Sequence, residues 1–148
     1  MLFRSTGMYK SIDAGKTWRL LGLTTVGAFS KIYVHPKNPK IIYAGGVRTG
    51  SGLYKSTDAG ATWTRVNRLA VSDISINPED VNEIFMGVVG EGVFHSINGG
   101  DSSWKCSNGF PSRAGRVSVQ MCASNKNRVY CLIEGPNPAD TKIGRAHV

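Results

Sequence analysis

Cysteine, histidine and acid are scarce in this chain, and each shortage removes a class of chemistry. Cys106, Cys122 and Cys131 are the only cysteines among 148 residues. An odd number without CxxC spacing gives neither a disulfide framework nor a zinc site, so the three read as small buried hydrophobes. Cys122 and Cys131 flank a turn around Asn125 that does not set them opposite each other. His35 and His95 stand singly without ligand spacing, and no metal or cofactor is expected. No apolar run is long enough to span a bilayer. The opening residues MLFRSTGMYK have no apolar stretch after their charge, so they do not read as a signal peptide. Asp and Glu total 10 against 18 Lys and Arg, a net charge of +8. The basic residues are scattered, with no run of three. Nucleic-acid binders concentrate Lys and Arg on one face beside stacking aromatics. Scatter of this kind is a solvated surface, and no nucleic-acid partner is expected.

Repetition is what the chain has in quantity. Gly7 to Trp18 reads GMYKSIDAGKTW, Gly52 to Trp63 reads GLYKSTDAGATW, and Gly92 to Trp104 reads GVFHSINGGDSSW. Asp13 and Asp58 lie 45 positions apart, and Asp58 and Asn98 lie 40 apart. An interval near forty suits the four-stranded blade of a β-propeller. The intervening segments repeat too: SKIYVHPKNPKIIY from Ser30, SDISINPEDVNEIF from Ser72 and VSVQMCASNKNRVY from Val117. Alternation at Ile32 and Val34, at Ile74 and Ile76, and at Val117, Val119 and Met121 predicts strands with one apolar face. The His-Pro, Asn-Pro and Asn-Lys-Asn groups that follow are turn chemistry. The expected fold is all-β, a partial propeller of four-stranded antiparallel blades. Two blades are complete (29–67 and 70–107), and two are partial (7–22 and 115–134).

The phrase Ser-x-Asp-x-Gly-x-Thr-Trp resembles the Asp-box, or BNR repeat. Ser11, Asp13, Gly15, Thr17 and Trp18 match it, as do Ser56, Asp58, Gly60, Thr62 and Trp63. The third copy keeps Ser96, Gly100 and Trp104, puts Asn98 in place of Asp, and carries one extra residue before the Trp. The physics suits a turn between third and fourth strands. A short acid accepts bonds from backbone N–H groups, Gly supplies positive φ, and Trp packs a large apolar body against the blade. Asp13 and Asp58 invite a catalytic or calcium-binding reading. Recurrence once per blade argues instead for a structural role, since a reacting group is normally unique, and no loop offers the oxygens of a dedicated calcium site.

Families with such boxes include sialidases, xyloglucan-cleaving hydrolases, sortilin-type Vps10 receptors and photosystem II assembly factors of the Ycf48 type. The tract NGFPSRAGRVSVQMCASNKNRVYCLIEG from Asn108 is similar to one in large bacterial and archaeal propellers of the glycosyl hydrolase or sortilin-like kind. The resemblance covers residues 7–135. It implies a binding scaffold for a protein or glycan ligand, within an extracellular or periplasmic parent whose remaining blades complete the ring. The alternatives are a fragment of a sialidase- or xyloglucanase-like hydrolase, or a Ycf48-like assembly factor. The sialidase Phe-Arg-Ile-Pro motif is broken, because Ser5 and Thr6 follow Phe3 and Arg4. Glycoside hydrolysis usually needs two facing carboxylates, and Asp73, at the start of an inner strand, is the only acid with a channel position. An exposed strand-end charge explains Asp73 as well. Glu79, Asp80 and Glu83 read as solvated turn residues. Arg113 and Arg116, beside a Gly-Pro loop, could take an anionic ligand or simply face solvent. An open array leaves apolar faces bare, so poor solubility or association is expected. The final KIGRAHV does not continue the repeat, and its back-translation matches a common sequencing-adapter start. Residues 143–148 are therefore expected to be a non-native tail.

Overall fold

The computed structural model describes residues 5–110 and 114–135. Arg4, Arg113 and the tail 143–148 lie outside the described residues. Among those described there are twelve strands and no helix. In chain order they are β1 (Tyr9–Lys10), β2 (Arg19–Leu20), β3 (Ala28–Val34), β4 (Ile42–Val47), β5 (Gly52–Ser56), β6 (Thr64–Asn67), β7 (Val71–Ile76), β8 (Ile84–Val88), β9 (Gly92–Ser96), β10 (Trp104–Cys106), β11 (Val117–Met121) and β12 (Val129–Ile133). They form four antiparallel sheets: β1-β2, β3-β4-β5-β6, β7-β8-β9-β10 and β11-β12. The two complete sheets share one register. Tyr43 pairs with Tyr33 and Lys55 in the second sheet, and Phe85 pairs with Ser75 and His95 in the third.

The apolar core lies between sheets rather than within one. Tyr43 and Leu53 of the second sheet pack on Ile74, Ile76, Ile84 and Met86 of the third. Val26, Ala44 and Tyr54 form a second cluster with Met8 and Trp63, between the first and second sheets. Val117 and Val119 of the fourth sheet pack on Val93 and Phe85 of the third. A period of two along each strand is what lets one sheet serve two neighbours. β7 is covered on both sides and is buried except at Asp73. β11 has a neighbour on one side only, so Val117, Val119 and Met121 are buried while Ser118 and Gln120 are exposed.

Two sequence expectations need correcting. Ile32 and Val34 are not the buried face of β3: each is 48% exposed, and Tyr33 between them packs into the core. Nor are the three cysteines alike. Cys106 and Cys131 pack against the third cluster, whereas the Cys122 thiol sits at a turn 3.3 Å from the Ser124 hydroxyl. As the turn around Asn125 implied, Cys122 is not opposite Cys131, which pairs with Val119.

The inner strands are tied sheet to sheet by a recurring device. Ser30 and Ser72 are the extra residues at matching β-bulges. The Ser30 hydroxyl donates to the Val71 carbonyl at 2.5 Å, and the Ser72 hydroxyl donates to the Val117 carbonyl at 2.6 Å. Gly45 and Gly87 make room for this approach. A Cβ on Gly87 would stand 2.5 Å from the Val117 carbonyl oxygen, and one on Gly45 would stand 3.0 Å from that of Val71.

Candidate functional site

The three repeated turns close in the same way. In the second sheet the Ser56 hydroxyl donates to Asp58 Oδ1 at 2.8 Å and accepts from the Gly60 N–H at 2.8 Å. The Thr62 N–H donates to Asp58 Oδ1 at 2.9 Å, and the Thr62 hydroxyl donates to Oδ2 at 2.5 Å. Ser11, Asp13, Gly15 and Thr17 reproduce these bonds in the first sheet. The hydroxyl and N–H of the Thr, then the Ser hydroxyl, hold each Asp carboxyl down at about 2. Both carboxylate oxygens are already engaged, which leaves little for a metal ion. In the third sheet Ser102 takes the place of Thr: its N–H donates to Asn98 Oδ1 at 2.9 Å, and Asn98 Nδ2 donates back to the Ser102 hydroxyl at 2.8 Å. The extra residue therefore falls after Ser102, and the closed turn survives.

The second and third turns also seat on the sheet before them. The Trp63 indole donates to the Leu21 carbonyl at 3.0 Å, and a Cβ on Gly60 would stand 2.5 Å from Leu21 Cδ1. Gly100 lies equally close to Leu53 of the second sheet, and Asn67 Nδ2 reaches the Gly100 carbonyl at 3.5 Å. The first turn has no described sheet before it. Trp18 is 64% exposed there and donates to Gly15 within its own turn. Trp104, displaced by the extra residue, is half-exposed and meets His95 edge-on at 4.7 Å.

Asp73 is fully occupied. Its Oδ1 lies 3.2 Å from Lys31 Nζ of β3, and its Oδ2 accepts from the Val119 N–H of β11 at 3.0 Å. It joins three inner strands and is largely covered, neither an exposed strand-end charge nor a free acid. His35 Nδ1 accepts from the Lys37 and Asn38 N–H groups and caps a turn. His95 stacks on Phe85 at 4.1 Å and lies 3.3 Å from Glu83, without hydrogen-bond alignment. Among the described residues no three His, Cys, Asp or Glu side chains gather to hold a metal.

In a four-stranded antiparallel sheet the first and third connections share one end. The Ala59 N–H bonds the Lys40 carbonyl, and the Gly99 N–H bonds that of Asn82, joining those two connections at that end. At the other end a groove of about 780 Å³ crosses the starts of β3, β7 and β11. Phe29, Ala70 and Val89 supply its apolar wall, and Arg48, Arg116 and Glu134 its charge. Glu134 Oε2 accepts from the Arg116 N–H at 3.1 Å. Neither arginine forms an ion pair among the described residues, where the pairs are Lys31–Asp73, His95–Glu83 and Lys105–Glu91. Of these groove residues the sequence pointed only to Arg116. The signals that could have found the rest are the serines and glycines recurring 42 positions apart, Ser30 with Ser72 and Gly45 with Gly87.

Four-stranded antiparallel sheets packed face on face, with their first strands side by side, define a β-propeller. This chain is a partial one, with two complete blades between two half-blades. It is similar to a solved ancestral GH74 enzyme at 26% identity and a TM-score of 0.72, over 88% of this chain and 19% of that one. Ycf48 from Cyanidioschyzon merolae matches at 22% identity and a TM-score of 0.49, over 66% of this chain and 30% of its own. The GH74 enzyme of Niastella koreensis matches at 20% identity and a TM-score of 0.41, over 83% and 31%. All three are β-propellers. The chain thus spans about a fifth of the first and under a third of the others. No family model and no curated protein matches it.

Proposed function

We propose that this chain is the ligand-binding part of a glycosidase-like propeller protein, and that a glycan or protein segment lies in the groove across β3, β7 and β11. The carrying observation is the groove itself. Three successive blades contribute to it, and it combines an apolar wall with two guanidinium groups that form no ion pair among the described residues. Pockets of this size and mixture suit ligands held by a few polar groups. The similarity to a GH74 enzyme over 88% of the chain supports the glycosidase-like class. Binding is favoured over hydrolysis because the described residues of the groove include one carboxylate, Glu134, where two are usually needed, and Asp73 is engaged by Lys31 and Val119. Ser11, Asp13, Gly15, Thr17 and their counterparts are fasteners of the turns in this reading and take no part in chemistry.

A glycan array probed with the chain, followed by calorimetry on the hits, tests this reading. Arg48→Ala with Arg116→Ala should weaken binding at least tenfold with unchanged circular dichroism, since both side chains are exposed. Retained affinity in that variant would move the ligand elsewhere. Turnover of chromogenic glycosides by the chain would replace binding with hydrolysis.

A further inference from the structure

The β4–β5 connection puts a charge where its counterpart has none. Gly46 pairs with Gly52 as Val88 pairs with Gly92, so Arg48 stands in the second sheet where Gly90 stands in the third. Both have left-handed backbone, at φ 66 and φ 80. Glycine takes that conformation freely, whereas an L side chain is strained in it. Three other described residues share the strain: Ala14 and Ala59 in the closed turns, and Leu23, which packs on the second cluster. Arg48 differs from them. Its side chain is exposed and lines the groove. A strained residue that the core does not need points to function.

The connection around Arg48 is held rigid. The Arg48 carbonyl accepts from the Ser51 N–H at 2.9 Å, and the Thr49 carbonyl from the Gly27 N–H at 2.7 Å. The Gly50 carbonyl accepts from the Tyr54 hydroxyl at 2.6 Å, and the Ser51 carbonyl from the Arg65 guanidinium. Gly27 approaches so closely that a Cβ on it would stand 3.2 Å from the Thr49 backbone. All these partners lie in the second sheet or in the segment that leads into it. A turn fixed before binding loses little further freedom when a ligand arrives.

We propose that Arg48 is a preset specificity residue, and that the ligand of the groove is a glycan bearing carboxylates, a chain of uronic acids. This rests on the reading of the groove as a ligand site and names its substrate class. A guanidinium fork meets both oxygens of a carboxylate in one plane. Arg116 brings a second fork, and Glu134 offsets one charge, its Oε2 already taken by the Arg116 N–H. The described lining is therefore left with a single positive charge, which matches a sparsely charged chain better than a densely sulfated one. The apolar wall of Phe29, Ala70 and Val89 suits the C–H faces of sugar rings. The Ser30 and Ser72 hydroxyls are already donated from blade to blade, so the described wall offers the amides of a peptide little.

Calorimetry of the whole chain with tetramers of galacturonic and mannuronic acid, each as free acid and as methyl ester, tests this. At least one acid should bind ten or more times as tightly as its ester at low salt, and the gap should narrow as salt is raised. Arg48→Gly should lose that preference. It should also melt above Arg48→Ala, because both lack the guanidinium and only glycine takes this φ without strain. A preference retained in Arg48→Gly, or equal affinity for acid and ester, would overturn the proposal. So would tighter binding of a sulfated oligosaccharide or of an acidic peptide, although the groove would remain a ligand site. Failure of every glycan and peptide to bind would remove the ligand site and this proposal together.

Discussion

At the scale of single residues, the repeated turns convert titratable groups into structure. Asp13 and Asp58 carry carboxyls near 2 in the fold against an ordinary 3.8. A folded carboxyl that binds protons more weakly contributes stability that is complete above about pH 4 and lost as pH falls through about 2. Asn98 makes the same turn without titrating. The paired substitution Asp13→Asn with Asp58→Asn should therefore flatten the loss of stability between pH 4 and 2. Thermal melts of both proteins across that window test it, and parallel curves would refute it. The thiols give a second expectation. The bond with Ser124 pulls the Cys122 thiol down, whereas burial pushes Cys106 up. Thiolate is the reactive form, so Cys122 should alkylate first when labelling is followed by mass spectrometry. Equal rates at the two sites would contradict the packing described for Cys106.

At the scale of elements, what matters is where a turn or strand meets the next blade. Trp63 and Trp18 occupy the same place in their turns. Only Trp63 reaches a preceding blade, through its bond to Leu21 and its packing on Met8 and Ala44. Trp63→Ala should cost about 3 kcal/mol, near the lower end for a large aromatic. Trp18→Ala should cost about 0.5 kcal/mol or less, as for an exposed side chain. Denaturant titration of the two variants separates these values. Glycine positions follow the same logic. A Cβ at Gly87 would strike the Val117 backbone, which cannot swing aside, whereas Gly90 at φ +80 has nothing within 4 Å. Gly87→Ala should cost about 3 kcal/mol and Gly90→Ala about 1 kcal/mol.

Much of this was legible in the sequence because repetition shows each strand two or three times in different clothing. The positions of the strands, the closed turn and its tolerance of Asn98 all follow from the aligned phrases. The exposure of Ile32 and Val34 did not, because alternation says which residues share a face without saying whether a neighbour covers it. The engagement of Asp73 was hidden for a related reason. Its partners, Lys31 and Val119, lie 42 and 46 positions away, on strands of the blades to either side.

At the scale of the molecule, three separate clusters between successive sheets make this a short linear array rather than a body with one centre. In such arrays stability is a sum of unit terms and nearest-neighbour contacts, so it varies along the row. The interface between the two complete blades is the largest cluster and is closed by Ser30 on Val71 and Tyr43 on Gly99. The first sheet has two strands of two residues each, and its Tyr9 and Leu20 and the Trp18 of its turn are exposed. Opening should therefore proceed inward from that sheet. Native-state hydrogen exchange should find the amides of Ile74, Ile84 and Met86 slowest, and those of Lys10 and Leu20 faster by orders of magnitude. Ser72→Ala removes the hydroxyl that donates to the Val117 carbonyl and leaves that carbonyl short of a buried partner, at a cost of about 1–3 kcal/mol. Its effect on exchange should be local. Amides of β11 and β12 should speed up while those of β3 and β4 keep their rates, because the Tyr43 cluster on the other side of the third sheet is untouched. A uniform acceleration across all four sheets would instead mean that the blades unfold as one unit.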